Sequence, residues 1–241
     1  MIVCGKNAVL EALRSSEKVF EVWVNKSLAK TLDKDFSNLV RKKNAKLVFV
    51  DKNFLDKKTN GAHHQGFALN AEDYKYCEVE DILSYAEQKG QQPFVVILDK
   101  VEDPHNLGSV VRVCECAGVH GIIIPKHNAC EVNHTVTKTS AGAISYVKIA
   151  KVSNLNNAIE KLKKNGLWIY GVELGGEDFY SEDLRGPVAI VIGSEGYGTS
   201  ELVKKNCDKV LTLPMFGKVN SLNASVACGI AVFEVIRQRR K

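Results

Sequence analysis

Phe94-Val-Val-Ile-Leu98, running into Asp99-Lys-Val-Glu-Asp-Pro-His-Asn-Leu-Gly-Ser-Val-Val-Arg112, is the stretch on which the fold turns. Five consecutive apolar residues with no polar alternation describe a strand buried on both faces, as in a parallel sheet covered by helices. A polar loop follows up to Arg112, and after it a helix runs to Ala117. Further strands are expected at 120–124, 146–149, 167–172 and 188–192, with a helix at 154–164. Strands alternating with helices place this half of the chain in the α/β class, with a parallel sheet. In such sheets, functional loops gather at the carboxyl ends of the strands. Three loops meet that description: 103–108, Gly193-Ser-Glu-Gly-Tyr-Gly198, and the segment that begins at Pro214.

That last segment is Leu213-Pro-Met-Phe-Gly-Lys-Val-Asn-Ser-Leu-Asn-Ala-Ser-Val-Ala227. It reads as a strand end, a Pro and Gly loop and a helix start that Ser221 or Asn223 can cap. Ala224, Ala227, Cys228 and Ala231 recur at i, i+3, i+4 and i+7, a face of small residues that admits close neighbours.

The N-terminal part is also α/β. Asn7 can cap a helix that carries Val9, Ala12 and Leu13 on one face, followed by a strand at 19–24. A polar helix at 29–43, a strand at 46–50, a helix opened by Asp51 and a strand from Phe67 come next. The loop Thr59-Asn-Gly-Ala-His-His-Gln-Gly66 sets hydrogen-bonding groups between glycines, suited either to a ligand backbone or to a polar turn. Residues 73–92 are acidic and read as a linker with a short helix, dividing the chain into domains 1–72 and 93–241.

Charge is unevenly spread. The net charge is +5, yet residues 1–70 hold 13 Lys and Arg against 7 Asp and Glu. A basic N-terminal module suits a polyanion such as nucleic acid, or simply a solvated Lys-rich surface. The seven cysteines are an odd number without a CxxC pair, so reduced thiols and a reducing compartment are expected, with no metal site. No apolar run approaches a membrane span and the N-terminus lacks a signal-peptide pattern, so a cytoplasmic location is expected. The glycines at 193–198 run G-x-x-G-x-G, which argues against a dinucleotide fingerprint, and no GxxxxGK[ST] is present.

Asp99-x-Val-x-Asp-Pro-x-Asn-x-Gly-x-x-x-Arg112, Ile192-Gly-Ser-Glu-Gly-x-Gly198 and Leu213-Pro-Met-x(6)-Ser-Leu-Asn-x-Ser-x-Ala227 together resemble the three ordered motifs of the SpoU/TrmH branch of SPOUT methyltransferases. Val3-x-Gly-x-Asn-Ala-Val-x-Glu-Ala-Leu13 and His64-Gln-Gly66 resemble the L7Ae-like RNA-binding domain of the RlmB type, which methylates a guanosine of large-subunit ribosomal RNA. The resemblance implies methyl transfer from S-adenosylmethionine to a ribose 2′-hydroxyl of RNA, a deep trefoil knot in the C-terminal domain, and a homodimer that completes the site. By matching position, Gly193, Leu213, Met215 and Leu222 would hold the cofactor. Asn106, Arg112, Glu195, Ser221, Asn223 and Ser225 would form the catalytic shell, and Lys6, Asn7, His64 and Gln65 would touch RNA. The family assigns Arg112 the role of base; because guanidinium stays protonated, stabilising the substrate phosphate or the developing alkoxide is the role we expect. Glu195 is expected to fix the arginine or the loop. A tRNA ribose methyltransferase, or a non-catalytic RNA-binding protein with this fold, are the alternatives.

Overall fold

A computed structural model describes residues 1–14, 18–219 and 221–240, so Asn220 of the motif segment lies outside the described residues. The chain divides into two compact units, Met1–Lys75 with Val132–Lys138, and Tyr76–Glu131 with Thr139–Lys241.

The first unit orders β1 (Ile2–Cys4), α1 (Lys6–Arg14), β2 (Val19–Asn25), α2 (Lys34–Lys42), β3 (Lys46–Val50), α3 (Lys52–Lys58) and β4 (Phe67–Ala71). Its sheet runs β1-β4-β2-β3, with β2 and β3 parallel and β4 antiparallel to both its neighbours. Period-two alternation splits β2 and β4 between two cores. Val22, Val24 and Leu69 pack with Val9, Leu13, Phe36 and Val40 on one side, while Trp23 and Ala68 pack with Leu55 on the other. The expected helix at 29–43 is instead a 3₁₀ turn, Lys26–Thr31, and then α2. Leu32 is extended, and Asp33 restarts the helix by accepting a hydrogen bond from Asp35 N at 3.0 Å, which is N-cap chemistry inside the predicted run. Strand β1 is too short to show a period.

The second unit contains α4 (Val79–Gln88), β5 (Phe94–Leu98), α5 (Pro104–Cys116), β6 (Gly121–Pro125), β7 (Lys148–Val152), α7 (Leu155–Lys164), β8 (Trp168–Asp178), β9 (Val188–Ile192), α8 (Glu201–Asn206), β10 (Lys209–Thr212) and α9 (Ala224–Arg239), while α6 (His134–Thr139), between β6 and β7 in sequence, belongs to the first unit up to Lys138. The sheet is parallel throughout, in the order β10-β8-β9-β5-β6-β7. Every residue of β5 and β9 is buried, as their unbroken apolar runs require.

Helix α4 is the short helix expected within the linker stretch, and its Val79, Ile82 and Ala86 are buried in the core of this unit. Any Cβ at Gly121 would stand 2.5 Å from the Ile82 side chain, so the bare glycine in β6 is what lets α4 pack there. Helix α5 starts earlier than expected. Asp103 Oδ1 accepts from His105 N at 2.9 Å and Pro104 occupies the first turn, so Asn106 and Arg112 lie inside the helix.

Strand β8 continues to Asp178, six residues past its expected end. Its pairing with β10 breaks there: Val210 faces Gly171, whereas Leu211 faces Glu177. Residues 172–176 bow out between these contacts, and at Gly176 a Cβ would lie 2.2 Å from the Val210 carbonyl oxygen. The seven cysteines are all free. Burial pushes the Cys130 and Cys207 thiols up to about 11, and burial beside Cys228 raises Cys114 well above the ordinary thiol value, so these are protonated, unreactive groups at neutral pH.

Candidate functional site

The carboxyl ends of β5, β8, β9 and β10 carry the loops that form the site. Asp99, the first residue after β5, is buried, and its Oδ2 accepts from Ser200 N at 2.7 Å. This ties the glycine loop after β9 to the neighbouring strand. Within the loop, Ser194 and Gly198 exchange backbone hydrogen bonds at 3.1 and 3.0 Å, closing a tight turn. Gly193 must be glycine on steric grounds, because a Cβ there would meet Gly198 C at 2.2 Å and Thr199 N at 2.3 Å. Gly198 has φ +64°, the left-handed region.

A cavity of about 390 Å³ opens against this turn. Ile192, Val172, Leu213, Leu222 and Ala227 give it apolar walls, and Gly193, Ser194, Gly198, Met215, Ser221 and Glu173 complete it. All four residues expected to hold a cofactor, Gly193, Leu213, Met215 and Leu222, therefore border one cavity. Its size and its mixture of flat apolar wall, open backbone and a few polar groups suit a nucleoside-bearing ligand. Glu173 Oε2 is buried in the wall with no hydrogen-bond donor among the described residues, a polar atom that a ligand would satisfy. The residues present thus fit S-adenosylmethionine.

A second cavity, about 550 Å³, shares Ser194, Glu195, Gly196, Tyr197 and Ala224 with the first. Lys100, Glu102, Asp103, Asn106 and Asn128 line its other side. At the boundary, three side chains close a hydrogen-bond ring. Asn106 Nδ2 donates to Glu195 Oε1 at 2.7 Å, Asn223 Nδ2 donates to Asn106 Oδ1 at 2.9 Å, and Asn223 Nδ2 also donates to Glu195 Oε1. Asn223 is at once the N-cap of α9: its Oδ1 accepts from Ser225 N at 3.0 Å, Val226 N at 3.3 Å and Ser225 Oγ at 2.6 Å. Of the two candidate caps, Asn223 does the capping, and Ser221 lines the first cavity instead. Ser225 supports the cap.

Arg112 is not part of this ring. It is exposed on α5, six positions beyond Asn106 and so on a different face, and it borders neither cavity. Of the two tasks expected of Glu195, it fixes the loop rather than the arginine: its hydrogen bonds go to Asn106, Asn223 and Ala224 N. Glu173, Tyr197, Lys100 and Asn128 were not singled out from sequence. Glu173 was in reach, since it directly follows the expected end of a strand, where ligands gather.

In the first unit, Lys6 N donates to Gln65 Oε1 at 3.1 Å, bringing together two of the four residues expected at RNA. Asn7, one position further along α1, is exposed. His64 departs from expectation. It is 7% exposed, its Nδ1 accepts from Gly66 N at 2.9 Å, and its Nε2 lies 3.0 Å from Asp56 Oδ1. Both ring nitrogens are committed to holding the loop, with the proton on Nε2, so the ring itself is withdrawn from a nucleic-acid surface.

Fold and site define a parallel-sheet α/β protein with two adjoining cavities across the strand ends. The SpoU rRNA methylase family matches residues 93–233, and the substrate-binding domain of RNA 2′-O-ribose methyltransferases matches residues 2–77. The chain belongs to the SpoU rRNA methylase family, the RNA 2′-O-ribose methyltransferases also called TrmH-type. It is 43% identical to a TrmH family tRNA/rRNA methyltransferase, YacO, of Bacillus subtilis, over 98% of this chain and 95% of that one. The SpoU methyltransferase AviRb of Streptomyces viridochromogenes, solved in complex with AdoMet, aligns with a TM-score of 0.78 at 22% identity, covering 100% of this chain and 91% of that one. The A. aeolicus TrmH/SpoU tRNA modifying enzyme aligns with a TM-score of 0.58 at 28% identity, over 67% of this chain and 81% of that one. Among the described residues, no helix is long and apolar enough to cross a membrane.

Proposed function

We propose that this enzyme transfers the methyl group of S-adenosylmethionine to the ribose 2′-hydroxyl of a guanosine in large-subunit ribosomal RNA. The observation that carries the cofactor assignment is the 390 Å³ cavity that gathers Gly193, Leu213, Met215 and Leu222. AviRb, solved with AdoMet, shares the fold. S-adenosylmethionine supplies an electrophilic methyl group on a sulfonium. The protein's work is to hold donor and acceptor in line and to stabilise the oxygen as it loses its proton.

In that reading the second cavity takes the acceptor ribose, and the Asn106–Glu195–Asn223 ring fixes the wall between the two ligands. Ser221 and the Asn223 cap with Ser225 shape the same wall. Arg112, exposed and without an ion pair among the described residues, meets the substrate phosphate or the developing alkoxide. Its position outside both cavities of its own chain agrees with a homodimer in which a second copy completes the site. The exposed Val226 and Phe233 on α9 offer an apolar face for that copy. A trefoil knot in the second unit belongs to the same reading. A cytoplasmic enzyme is the consistent setting, since the substrate and the free thiols both belong there.

The ribosomal assignment rests on the N-terminal unit, with Lys6, Asn7 and Gln65 as RNA contacts. The tRNA enzyme of A. aeolicus aligns over only two thirds of this chain. The experiment is to map ribose methylation in ribosomal and transfer RNA from cells with and without the protein. A single guanosine of large-subunit RNA should lose its 2′-O-methyl group. Loss confined to tRNA would replace the substrate, and no loss in either RNA would remove the activity.

A further inference from the structure

The geometry points to Glu173 as the residue that recognises the ribose hydroxyls of the cofactor's nucleoside. This inference rests on the reading of the 390 Å³ cavity as the S-adenosylmethionine site.

Glu173 follows Val172, which pairs with Ile192 at the carboxyl end of the β8–β9 ladder. Its position is fixed from three sides. Thr212 Oγ1 donates to its carbonyl at 2.7 Å, Lys204 Nζ on α8 donates to Oε1 at 3.1 Å, and its carboxylate lies against Gly198. A Cβ on Gly198 would stand 3.2 Å from the Glu173 carboxyl carbon, so the glycine gives the carboxylate its place beside the loop. One oxygen is therefore held, and the other, Oε2, is buried in the wall of the cavity without a donor among the described residues. A buried carboxylate oxygen left unpaired is costly, and a donor brought by a ligand would recover that cost.

The chemistry of the donor follows from Lys204. Its ammonium already balances the carboxylate, so a second ammonium, such as that of the cofactor's amino-acid tail, would approach a like charge. A neutral donor is preferred. Among the neutral donors of the cofactor, the base edge is flat and suits the apolar wall of Ile192, Leu213 and Leu222, whereas a hydroxyl rotates to meet a fixed acceptor. A carboxylate at the carboxyl end of a parallel strand meeting a ribose hydroxyl is also the arrangement used in dinucleotide-binding sheets. Glu173 borders the first cavity only, whereas Glu195 of the ring borders both cavities and Asn106 only the second.

The test is equilibrium binding to the full-length protein by calorimetry. The ligands are S-adenosylmethionine, 5′-methylthioadenosine, which lacks the amino-acid tail, and the 2′-deoxy and 3′-deoxy forms of methylthioadenosine. The parent should bind the first two and lose about 10- to 100-fold on removal of one hydroxyl, the range for a hydrogen bond to a charged group. Glu173→Ala should weaken S-adenosylmethionine and methylthioadenosine by the same factor and no longer distinguish the deoxy forms. Glu173→Gln, which keeps the side-chain shape, should fall between. The deoxy series on the parent needs no variant to fold. The inference is overturned if the parent ignores both hydroxyls, if Glu173→Ala binds methylthioadenosine like the parent, or if the loss is confined to the ligand with the amino-acid tail. A parent that binds neither S-adenosylmethionine nor methylthioadenosine would instead overturn the cofactor reading beneath it.

Discussion

Asn106 donates from Nδ2 to Glu195 Oε1 at 2.7 Å, a contact between helix α5 and the glycine loop that spans 89 residues of sequence. Asn223 joins the same pair from the cap of α9, so three chain segments converge on one carboxylate oxygen. Groups locked in one ring act as a unit, and their removals should not add. Asn106→Ala, whose residue borders only the second cavity, should lower the methyl-transfer rate by about 100-fold while leaving S-adenosylmethionine affinity within about twofold. Asn223→Ala should cost a similar rate loss plus about 1 kcal/mol of stability from the lost helix cap. The double variant should transfer no more slowly than the slower single one. Single-turnover kinetics with urea denaturation would check this, and strictly multiplicative rate losses would show that the ring is not one unit.

Gly193 is a tight point in the wall of the 390 Å³ cavity. A methyl group at that Cα would sit 2.2 Å from backbone carbon and 2.3 Å from backbone nitrogen, neither of which can rotate away. Gly193→Ala should therefore cost about 3 kcal/mol or more, the upper range for overpacking, and weaken S-adenosylmethionine at least tenfold by reshaping the Ser194–Gly198 turn. Gly196→Ala is the control, since a Cβ there meets nothing within 4 Å. Equal behaviour of the two variants would refute the steric argument.

Arg112 separates an active enzyme from an RNA-binding relic. Because its side chain is exposed and unpaired among the described residues, Arg112→Ala should change stability by no more than about 0.5 kcal/mol, the usual range for a surface site. Methyl transfer should nevertheless fall by about 100- to 1,000-fold, as when a donor to a developing oxyanion is removed. Arg112→Lys should recover only part of this, since an ammonium lacks the planar fork. Transfer by the alanine variant at the parent's rate would show that the arginine has no part in the chemistry.

These tests lean unequally on sequence and on structure. The unbroken runs at Phe94–Leu98 and Val188–Ile192 were legible because a strand buried on both faces has no polar position to misread. The residues of the cavity wall were legible through the ordered motifs, which fix side chains and glycines together. The break at Leu32–Asp33 was not, because Leu32, Phe36, Leu39 and Val40 keep helical spacing across it and only the Asp33 cap reveals the restart. His64 shows the opposite difficulty: a histidine between glycines looks available, and only its bonds to Asp56 and Gly66 show that it is used internally. Glu173 escaped notice because β8 continues beyond it in a bowed segment that no apolar pattern marks.

His120 gives the fold a pH dependence of known sign. Burial, with Lys89 and Arg239 nearby, lowers its pKa from 6.5 to about 4. In the fold its Nδ1 accepts from Phe94 N at 3.0 Å and its Nε2 lies 2.9 Å from Gln91 Oε1, so the neutral ring bridges the start of β5. The unfolded chain takes up a proton below about pH 6.5, whereas the folded chain resists until about pH 4. The stabilisation from neutral His120 is therefore complete above about pH 6.5 and is lost progressively as pH falls towards 4. His120→Asn keeps an acceptor for Phe94 N without titrating. Urea midpoints measured at pH 7.5 and pH 5 should drop more steeply for the parent than for His120→Asn. Identical pH slopes would show that His120 does not govern this window.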